Sequence, residues 1–154
     1  MSSAAERLAA LGLTLPPVTA PVAAYVPAVR TGSYVYVSGQ LPVVDGKLPA
    51  TGKVGDAVSA QDAAGLARTC ALNALAAAAE AAGGLDAIVR IVKVLGFVAS
   101  APGFNGQPQV VNGASELLIE VFGEAGRHAR SAVGVAELPL DAPVEVELIA
   151  EVRA

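Results

Sequence analysis

Tryptophan is absent from this chain of 154 residues, and aromatic residues make up only 4% of it. Cysteine and histidine occur once each, at Cys70 and His128. A single chain therefore has neither an internal disulfide nor the Cys and His ligands of a structural zinc site, and we expect no bound metal. No run of about 18 apolar residues occurs, so the sequence predicts no transmembrane helix. The first ten residues lack a basic region followed by a long apolar core, so no secretory signal is predicted and we expect a cytoplasmic protein.

Positive charge is also scarce. The chain has 10 Lys and Arg against 14 Asp and Glu, which gives a formal net charge of −4. Nucleic-acid surfaces need clusters of Lys and Arg, commonly interleaved with aromatic residues, and no such cluster is present, so we expect no nucleic-acid partner. The phosphate-binding P-loop and the dinucleotide pattern G-x-G-x-x-G are missing as well.

The apolar fraction, by contrast, is high. Hydrophobic residues make up 54% of the chain, and the mean hydropathy is +0.57. One explanation is a tight core beneath a thin polar surface, and the other is an apolar surface buried against copies of the same chain. We favour the second, because exposed apolar patches usually mark interfaces.

The hydrophobic patterning predicts one α+β domain with elements in the order β-β-α-β-α-β-β, in which a mixed sheet carries two long helices on one face. The helix that follows Ser59 is the clearest, because Ser59 and Asp62 form a capping pattern and Gly83-Gly84 ends it. Residues 1–21 are interpreted as a helical N-terminal appendage with a proline-rich connector, and residues 22–154 as the domain. The predicted strands cover residues 22–29, 34–37, 90–98, 130–138 and 144–152, and the predicted long helices cover residues 59–82 and 108–123.

Apolar side chains occupy both faces of the predicted strands. Tyr34 and Tyr36 alternate with Val35 and Val37, so each face receives large side chains. Helices cover only one of these faces, and assembly of several copies through the other face would bury the rest. We therefore expect an oligomer.

A basic segment, Gly126–Arg130, leads from the second long helix into a strand. Arg130 is the first residue of that predicted strand, and the residues that follow it are small or apolar. An arginine in this position needs a counter-charge or a ligand, and its planar fork can hold a carboxylate or phosphate in two bonds. A solvated loop that happens to be basic is the alternative explanation.

The last predicted strand alternates apolar and acidic residues. Glu145, Glu147 and Glu151 share one of its faces. They form either an ordinary solvated face or a site in which one carboxylate, held near Arg130, positions a water or transfers a proton. Because the last two predicted strands are consecutive, a hairpin between them would bring the two groups together.

Two further residues interrupt apolar segments. Tyr25 lies in an extended stretch, where the pattern alone favours packing over function. Asn112 interrupts the apolar stripe of the second long helix, where an asparagine is mildly unfavourable and indicates a hydrogen-bonding role. His128 and Cys70 are interpreted as structural residues.

The chain resembles the Rid family, also called YjgF, at Tyr25 and in the segments 38–42 (SGQLP), 129–139 (ARSAVGVAELP) and 144–147 (VEVE). The pattern A-R-S-x-V-x-V-x-x-L-P, followed by V-E-V-E, is the most specific part, and the resemblance covers about residues 22–152. Segments 1–20 and 99–107 are longer than is common in the family, and Gly134 stands where charged residues are common. These differences are typical of a longer subgroup.

The resemblance implies a fold like that of the trimeric chorismate mutases and a homotrimer with three clefts between subunits. It also implies hydrolysis of reactive enamine and imine intermediates to 2-keto acids and ammonia, without a metal or cofactor. In such a cleft, Arg130 would grip the substrate carboxylate and Glu145 would hold or activate the attacking water. The other residues implied to line the cleft are Tyr25, Gly39, Asn112 and Ala132.

Two other functions stay open at this point. A non-catalytic trimer could capture a small carboxylate-bearing ligand at Arg130, with Glu145 as a structural residue. Endoribonuclease activity, a label also given to the family, is the weaker alternative, because the chain is acidic and lacks a basic stripe.

Overall fold

Five strands form one mixed sheet in the computed structural model, which describes residues 1–21 and 23–154. The strands are β1 (Ala28–Thr31), β2 (Tyr34–Gln40), β3 (Ile88–Ala99), β4 (Ala129–Val135) and β5 (Val144–Val152). The α-helices are α1 (Ala4–Ala10), α2 (Ala60–Ala82) and α3 (Gln107–Phe122), and short 3-10 turns cover Leu85–Ala87, Gly123–Gly126 and Pro139–Asp141. The strand order across the sheet is β1-β2-β5-β3-β4, with β3 and β4 parallel and the other neighbours antiparallel.

The predicted mixed sheet with two long helices on one face is confirmed, and the ends of α2 follow the predicted signals. Ser59 caps the helix, because its hydroxyl accepts a hydrogen bond from the backbone N–H of Asp62 at 3.0 Å. Gly83 ends it in the left-handed conformation, with φ at 90°.

The predicted strand boundaries are less accurate. The first strand begins at Ala28 rather than at residue 22, directly after Pro27, which has no backbone N–H to give to a ladder. Val22 itself lies outside the described residues. The fourth strand ends at Val135 rather than at residue 138, since the next carbonyl, that of Ala136, accepts a hydrogen bond from the Lys53 ammonium group instead.

The hairpin between the last two strands, one arrangement considered above, is wrong. β4 pairs in parallel with β3 after the α3 crossover and forms an edge of the sheet. β5 lies between β2 and β3 and pairs with both. A long helical crossover is the connection that parallel neighbours require, which is why β4 takes the place beside β3.

The two faces of the sheet differ in cover. Val35, Val94 and Leu148 point toward α2 and α3 and are buried. On the opposite surface, which we call the open face, Val29 is 53% exposed and Tyr36 is 47% exposed. The expectation that large apolar side chains reach both faces is therefore confirmed.

Small residues let α2 and α3 pack closely against each other and against the sheet. A Cβ atom on Gly113 of α3 would overlap the backbone carbonyl of Ala64 on α2. A Cβ atom on Gly96 of β3 would overlap the Val111 side chain. Both glycines therefore sit where a backbone needs close approach, and they set the position of the first half of α3.

The N-terminal helix packs at the other end of α3. Leu8 of α1 is buried in the core, and the Ala5 backbone N–H donates to the Asp86 carboxylate at 3.0 Å. Ser3 and Glu6 form a reciprocal capping box at its start.

Among the described residues, no helix has both the length and the apolar character needed to cross a membrane.

Replacing Gly113 by alanine is expected to lower the free energy of unfolding by about 1–3 kcal/mol, because the added methyl group has no room beside the Ala64 carbonyl. Gly65→Ala is the matched control, since Gly65 is also inside a helix but has open space at its Cβ position. That change is expected to raise the free energy of unfolding by about 0.5–1 kcal/mol. Guanidinium chloride unfolding measures both. An equal effect of the two changes would contradict the close contact.

Candidate functional site

Arg130 projects from the edge strand β4 onto the first half of α3. Its Nη1 donates to the Asn112 side-chain oxygen at 2.8 Å and to the Ser115 hydroxyl at 3.2 Å. Its Nη2 makes a longer contact of 3.4 Å with the Pro108 carbonyl. Asn112 and Ser115 lie three residues apart, so they face the same way on a helix and reach Arg130 together.

One edge of the Arg130 guanidinium stays unengaged. A guanidinium has five N–H donors in a fixed plane, and both donors of Nη1 are used. No acceptor within residues 1–21 and 23–154 takes the Nε–H or the second Nη2–H of Arg130. Nε and Nη2 point to the same side, so together they match the two oxygens of a carboxylate.

His128 completes a chain of hydrogen bonds behind Arg130. Its Nε2 lies 2.9 Å from the Ser115 hydroxyl, and its Nδ1 lies 2.6 Å from the Gly126 carbonyl oxygen. Burial lowers the pKa of His128, the Gly126 carbonyl opposes this, and the positive charge of Arg130 lowers it further. His128 is therefore a neutral imidazole near neutral pH.

Small residues on the strand beyond Arg130 let the start of α3 approach it closely. Side chains alternate along a strand, so Ala132 and Gly134 lie on the same face of β4 as Arg130. A Cβ on Gly134 would come within 2.8 Å of the Gln107 amide nitrogen, which shows that the start of α3 lies over this strand. The start of α3 therefore packs directly against the strand at Gly134.

Glu145 lies in a second group of residues, on the open face. A Cβ on Gly39 would overlap its carboxylate, so the absence of a side chain at Gly39 is what gives Glu145 its place. The ladder between β2 and β5 is irregular from Val37 to Gln40, at the position of Gly39. Burial raises the pKa of Glu145, and the negative charge of Glu147 raises it further.

Tyr25 belongs to the same end of the sheet as Gly39. The Ser38 hydroxyl donates to the Val26 carbonyl at 2.7 Å, and the Ser38 backbone N–H donates to the Pro27 carbonyl at 2.9 Å. These bonds hold the segment after Tyr25 beside the end of β2. The Tyr25 side chain is 56% exposed and is available to a ligand or to another chain.

The two groups do not meet within one chain. In the register of the sheet, Glu145 of β5 pairs with Phe97 of β3, and Phe97 pairs with Val133 of β4. Arg130 of β4 pairs instead with Val94 of β3. β3 therefore separates the two residues across the sheet, by two strand spacings of about 4.8 Å each. They also lie on opposite faces, because Arg130 points toward α3 and Glu145 toward the open face.

The part of the chain that the structure describes has no group of side chains suited to bind a metal ion. No three His, Cys, Asp or Glu side chains converge there. The Cys70 thiol is buried, which raises its pKa well above the ordinary value, with the Glu145 charge acting in the same direction. Cys70 is therefore an un-ionised core residue that donates weakly to the Val144 carbonyl.

Comparison with known proteins identifies the family. The family described as YjgF/chorismate mutase-like, putative endoribonuclease matches residues 5–152, so this chain belongs to that family. Protein TCP17 of Trypanosoma cruzi is 45% identical over 150 residues, which cover 97% of this chain and 94% of that protein. The resemblance read from the sequence motifs is thus confirmed.

Solved structures agree with this assignment. The protein Atu1372 from Agrobacterium tumefaciens is 48% identical, with a TM-score of 0.90 over 97% of this chain and 92% of that one. TdcF from E. coli, crystallised with bound serine, is 31% identical, with a TM-score of 0.65 over 91% of this chain and 94% of that one.

The sequence pattern does not identify Ser115 as part of the site, and it favours a structural role for His128. The sequence spacing of each residue from a predicted site residue indicates its place in the site. Ser115 is three residues after Asn112 on a helix, and His128 is two residues before Arg130 at the start of a strand, so each pair shares a face. The contribution of the Pro108 carbonyl had no sequence signal.

Replacing Glu147 by glutamine is expected to lower the pKa of Glu145, because it removes the charge that disfavours a second carboxylate nearby. A carbon-13 NMR titration of the Glu145 carboxyl measures the shift. Glu151→Gln is the matched control, since Glu151 lies on the same face of β5 but farther along the strand. An unchanged Glu145 pKa in the first variant, or an equal fall in the control, would contradict this.

Proposed function

We propose that this protein is a homotrimer that hydrolyses reactive enamine and imine intermediates bearing a carboxylate to 2-keto acids and ammonia, in clefts between its subunits. The free edge of the Arg130 guanidinium, held in place by α3, is the observation that carries the proposal. Tyr25, Gly39, Asn112 and Ala132 line the cleft beside Arg130 and Glu145. The reaction uses no metal or cofactor.

Carboxylate recognition is the first step. The Nε and Nη2 donors of Arg130 bind the two carboxylate oxygens of the substrate, while its Nη1 stays anchored on Asn112 and Ser115. This contact fixes the orientation of the neighbouring C=N group. The serine bound to TdcF carries a carboxylate and an amino nitrogen on one carbon, which is the same arrangement of groups.

A second copy of the chain completes the cleft. Arg130 and Glu145 of one chain lie on opposite faces of the sheet, so one chain alone cannot use both on one small substrate. The open face carries exposed apolar side chains, among them Val29, Tyr36 and Val133, that favour burial against another copy. Because β4 is an edge strand, the proposal sets the open face of one copy against the β4 edge of another, with Glu145 of the first beside Arg130 of the second.

The chemistry needs a proton acceptor and a positioned water. An enamine first gains a proton at carbon and becomes the imine. Water then adds to the C=N carbon, and one water proton passes to the Glu145 carboxylate, which returns it to the nitrogen to give a carbinolamine. Glu145 next takes the hydroxyl proton and delivers it to the nitrogen as the C–N bond breaks, so a 2-keto acid and ammonia leave. The raised pKa of Glu145 suits it to accept and return this proton.

The net charge favours this substrate class over RNA. A formal charge of −4 repels a phosphate backbone, whereas one anchored guanidinium suffices for a small carboxylate. A trimer that binds carboxylates without turnover is the remaining alternative, and the assay below separates it from the enzyme.

Release of ammonia and 2-keto acid from freshly generated 2-aminoacrylate is expected to be faster with the protein than without it. Arg130→Ala should lower kcat/KM about 10- to 100-fold through loss of charge-assisted hydrogen bonds. Glu145→Gln should lower kcat about 100-fold or more. Glu151→Gln, on the same face of β5, is the matched control and should leave both constants unchanged. Carboxylate binding without any acceleration would show that the protein is a binder.

Two inactive variants are expected to restore each other when mixed. In trimers reassembled from equal amounts of Arg130→Ala and Glu145→Gln chains, about a quarter of the clefts receive an intact Arg130 and an intact Glu145 from different chains. Activity should therefore return to about a quarter of the wild-type value. Sedimentation should give about 46 kDa, that is, three chains of 15.3 kDa. A 15 kDa particle would rule out the trimer, and no recovery on mixing would rule out the shared cleft.

A further inference from the structure

We propose that His128, acting through the hydroxyl of Ser115, is a positioning residue for Arg130, and that it does this as the neutral tautomer protonated at Nδ1. The inference rests on the proposed role of Arg130 as the carboxylate anchor. It adds His128 to the machinery of the cleft and assigns the Ser115 hydroxyl a fixed orientation, and the sequence motifs indicate neither role.

Group type alone fixes the direction of two of these three hydrogen bonds, and the third, between Ser115 and His128, follows when His128 is neutral. A guanidinium only donates, so the Ser115 oxygen must accept from Arg130 Nη1 across 3.2 Å. A carbonyl only accepts, so His128 Nδ1 must carry a proton to bond the Gly126 carbonyl at 2.6 Å. In a neutral imidazole the other nitrogen is then an acceptor, and the Ser115 hydroxyl donates its proton to Nε2 across 2.9 Å.

This arrangement fixes the orientation of the Ser115 hydroxyl. Without an acceptor at Nε2, that hydroxyl proton would be free to rotate, and the oxygen lone pairs would no longer be held toward Arg130. With His128 in place, Arg130 Nη1 has two fixed acceptors, Ser115 and Asn112, on one face of α3. Two anchors define the guanidinium plane, and the Nε and Nη2 edge is then held ready for a carboxylate.

The charges around His128 favour the neutral form. Burial is the main cause of its lowered pKa, and Arg130, two residues along, adds repulsion. The nearest acidic side chain in sequence, Glu124, is paired with Arg127 at 2.9 Å on the exposed turn. α3 contributes the neutral Ser115, and the turn before β4 contributes the Gly126 carbonyl. Lys93 of β3 pairs with Ala129 in the sheet register, and its side chain points to the open face, away from α3.

The tautomer can be read directly, because His128 is the only histidine in the chain. A long-range proton–nitrogen NMR spectrum of the full-length protein near neutral pH should show a protonated Nδ1 and an unprotonated Nε2. The guanidinium Nη protons of Arg130 should exchange slowly in the wild type and rapidly in Ser115→Ala. A proton on Nε2, or Nη exchange unchanged in Ser115→Ala, would overturn the proposal, and neither readout needs a ligand or any catalytic activity.

Binding of pyruvate, compared with its neutral amide, tests the consequence for the cleft. Ser115→Ala and His128→Leu should each weaken pyruvate binding about threefold to tenfold, without changing the weak binding of the amide. Ser115→Thr and His128→Gln, which keep a hydroxyl and an acceptor respectively, should restore most of the affinity. Arg127→Gln is the matched control, since its side chain bonds Glu124 and not Arg130.

Turnover separates this proposal from the proposed function. In Ser115→Ala the KM for the imine should rise by the same factor as the pyruvate affinity falls, with kcat changed less than twofold. A fall in kcat at constant KM would contradict the positioning role. If the wild type binds no pyruvate, the carboxylate anchor itself fails, whereas the two NMR readouts still decide whether His128 positions Arg130.

Discussion

The close approach of α2 and α3 is the constraint on which the site depends. Gly113 has no side chain because the Ala64 carbonyl occupies that space, and Gly96 leaves room for Val111 beneath α3. Together these contacts bring the first half of α3 down onto the edge of the sheet. Only at that distance can Asn112 and Ser115 reach the guanidinium of a residue on β4. Helix packing therefore also sets the position of the Arg130 guanidinium, the proposed carboxylate anchor.

The apolar excess of the composition has two separate causes in the structure. Alanines in α2 are buried against the sheet and α3, where small side chains permit close packing. Tyr36, Val29 and Val133 lie on the open face, where they are 42–53% exposed. The first group stabilises the single chain, and the second supports the proposed assembly. A mean hydropathy value cannot separate these two roles, since it counts both groups alike.

Much of the fold could be predicted because its signals are local. Ser59, Gly83 and the alanine-rich stretch between them predict α2, and the alternation around Tyr34 predicts β2. The neighbour of a strand is not local information, and for this reason β5 could not be placed between β2 and β3 from the sequence. The site shows the same division. Arg130 and Glu145 are recognisable by type and motif, whereas the anchoring of Arg130 depends on α3, far away in the sequence.

The placement of Arg130 and Glu145 on opposite faces has a genetic consequence. In the proposed trimer each chain supplies Arg130 to one cleft and Glu145 to another. A chain altered at both positions would then disable two of the three clefts of any trimer that it enters, while leaving the fold of its partners intact. With equal amounts of the two chains, about a quarter of the clefts would keep both groups, which is less than the half left by an allele that makes no chain. A change that stops the chain from folding and assembling, such as one in the helix contact, is expected to leave that half.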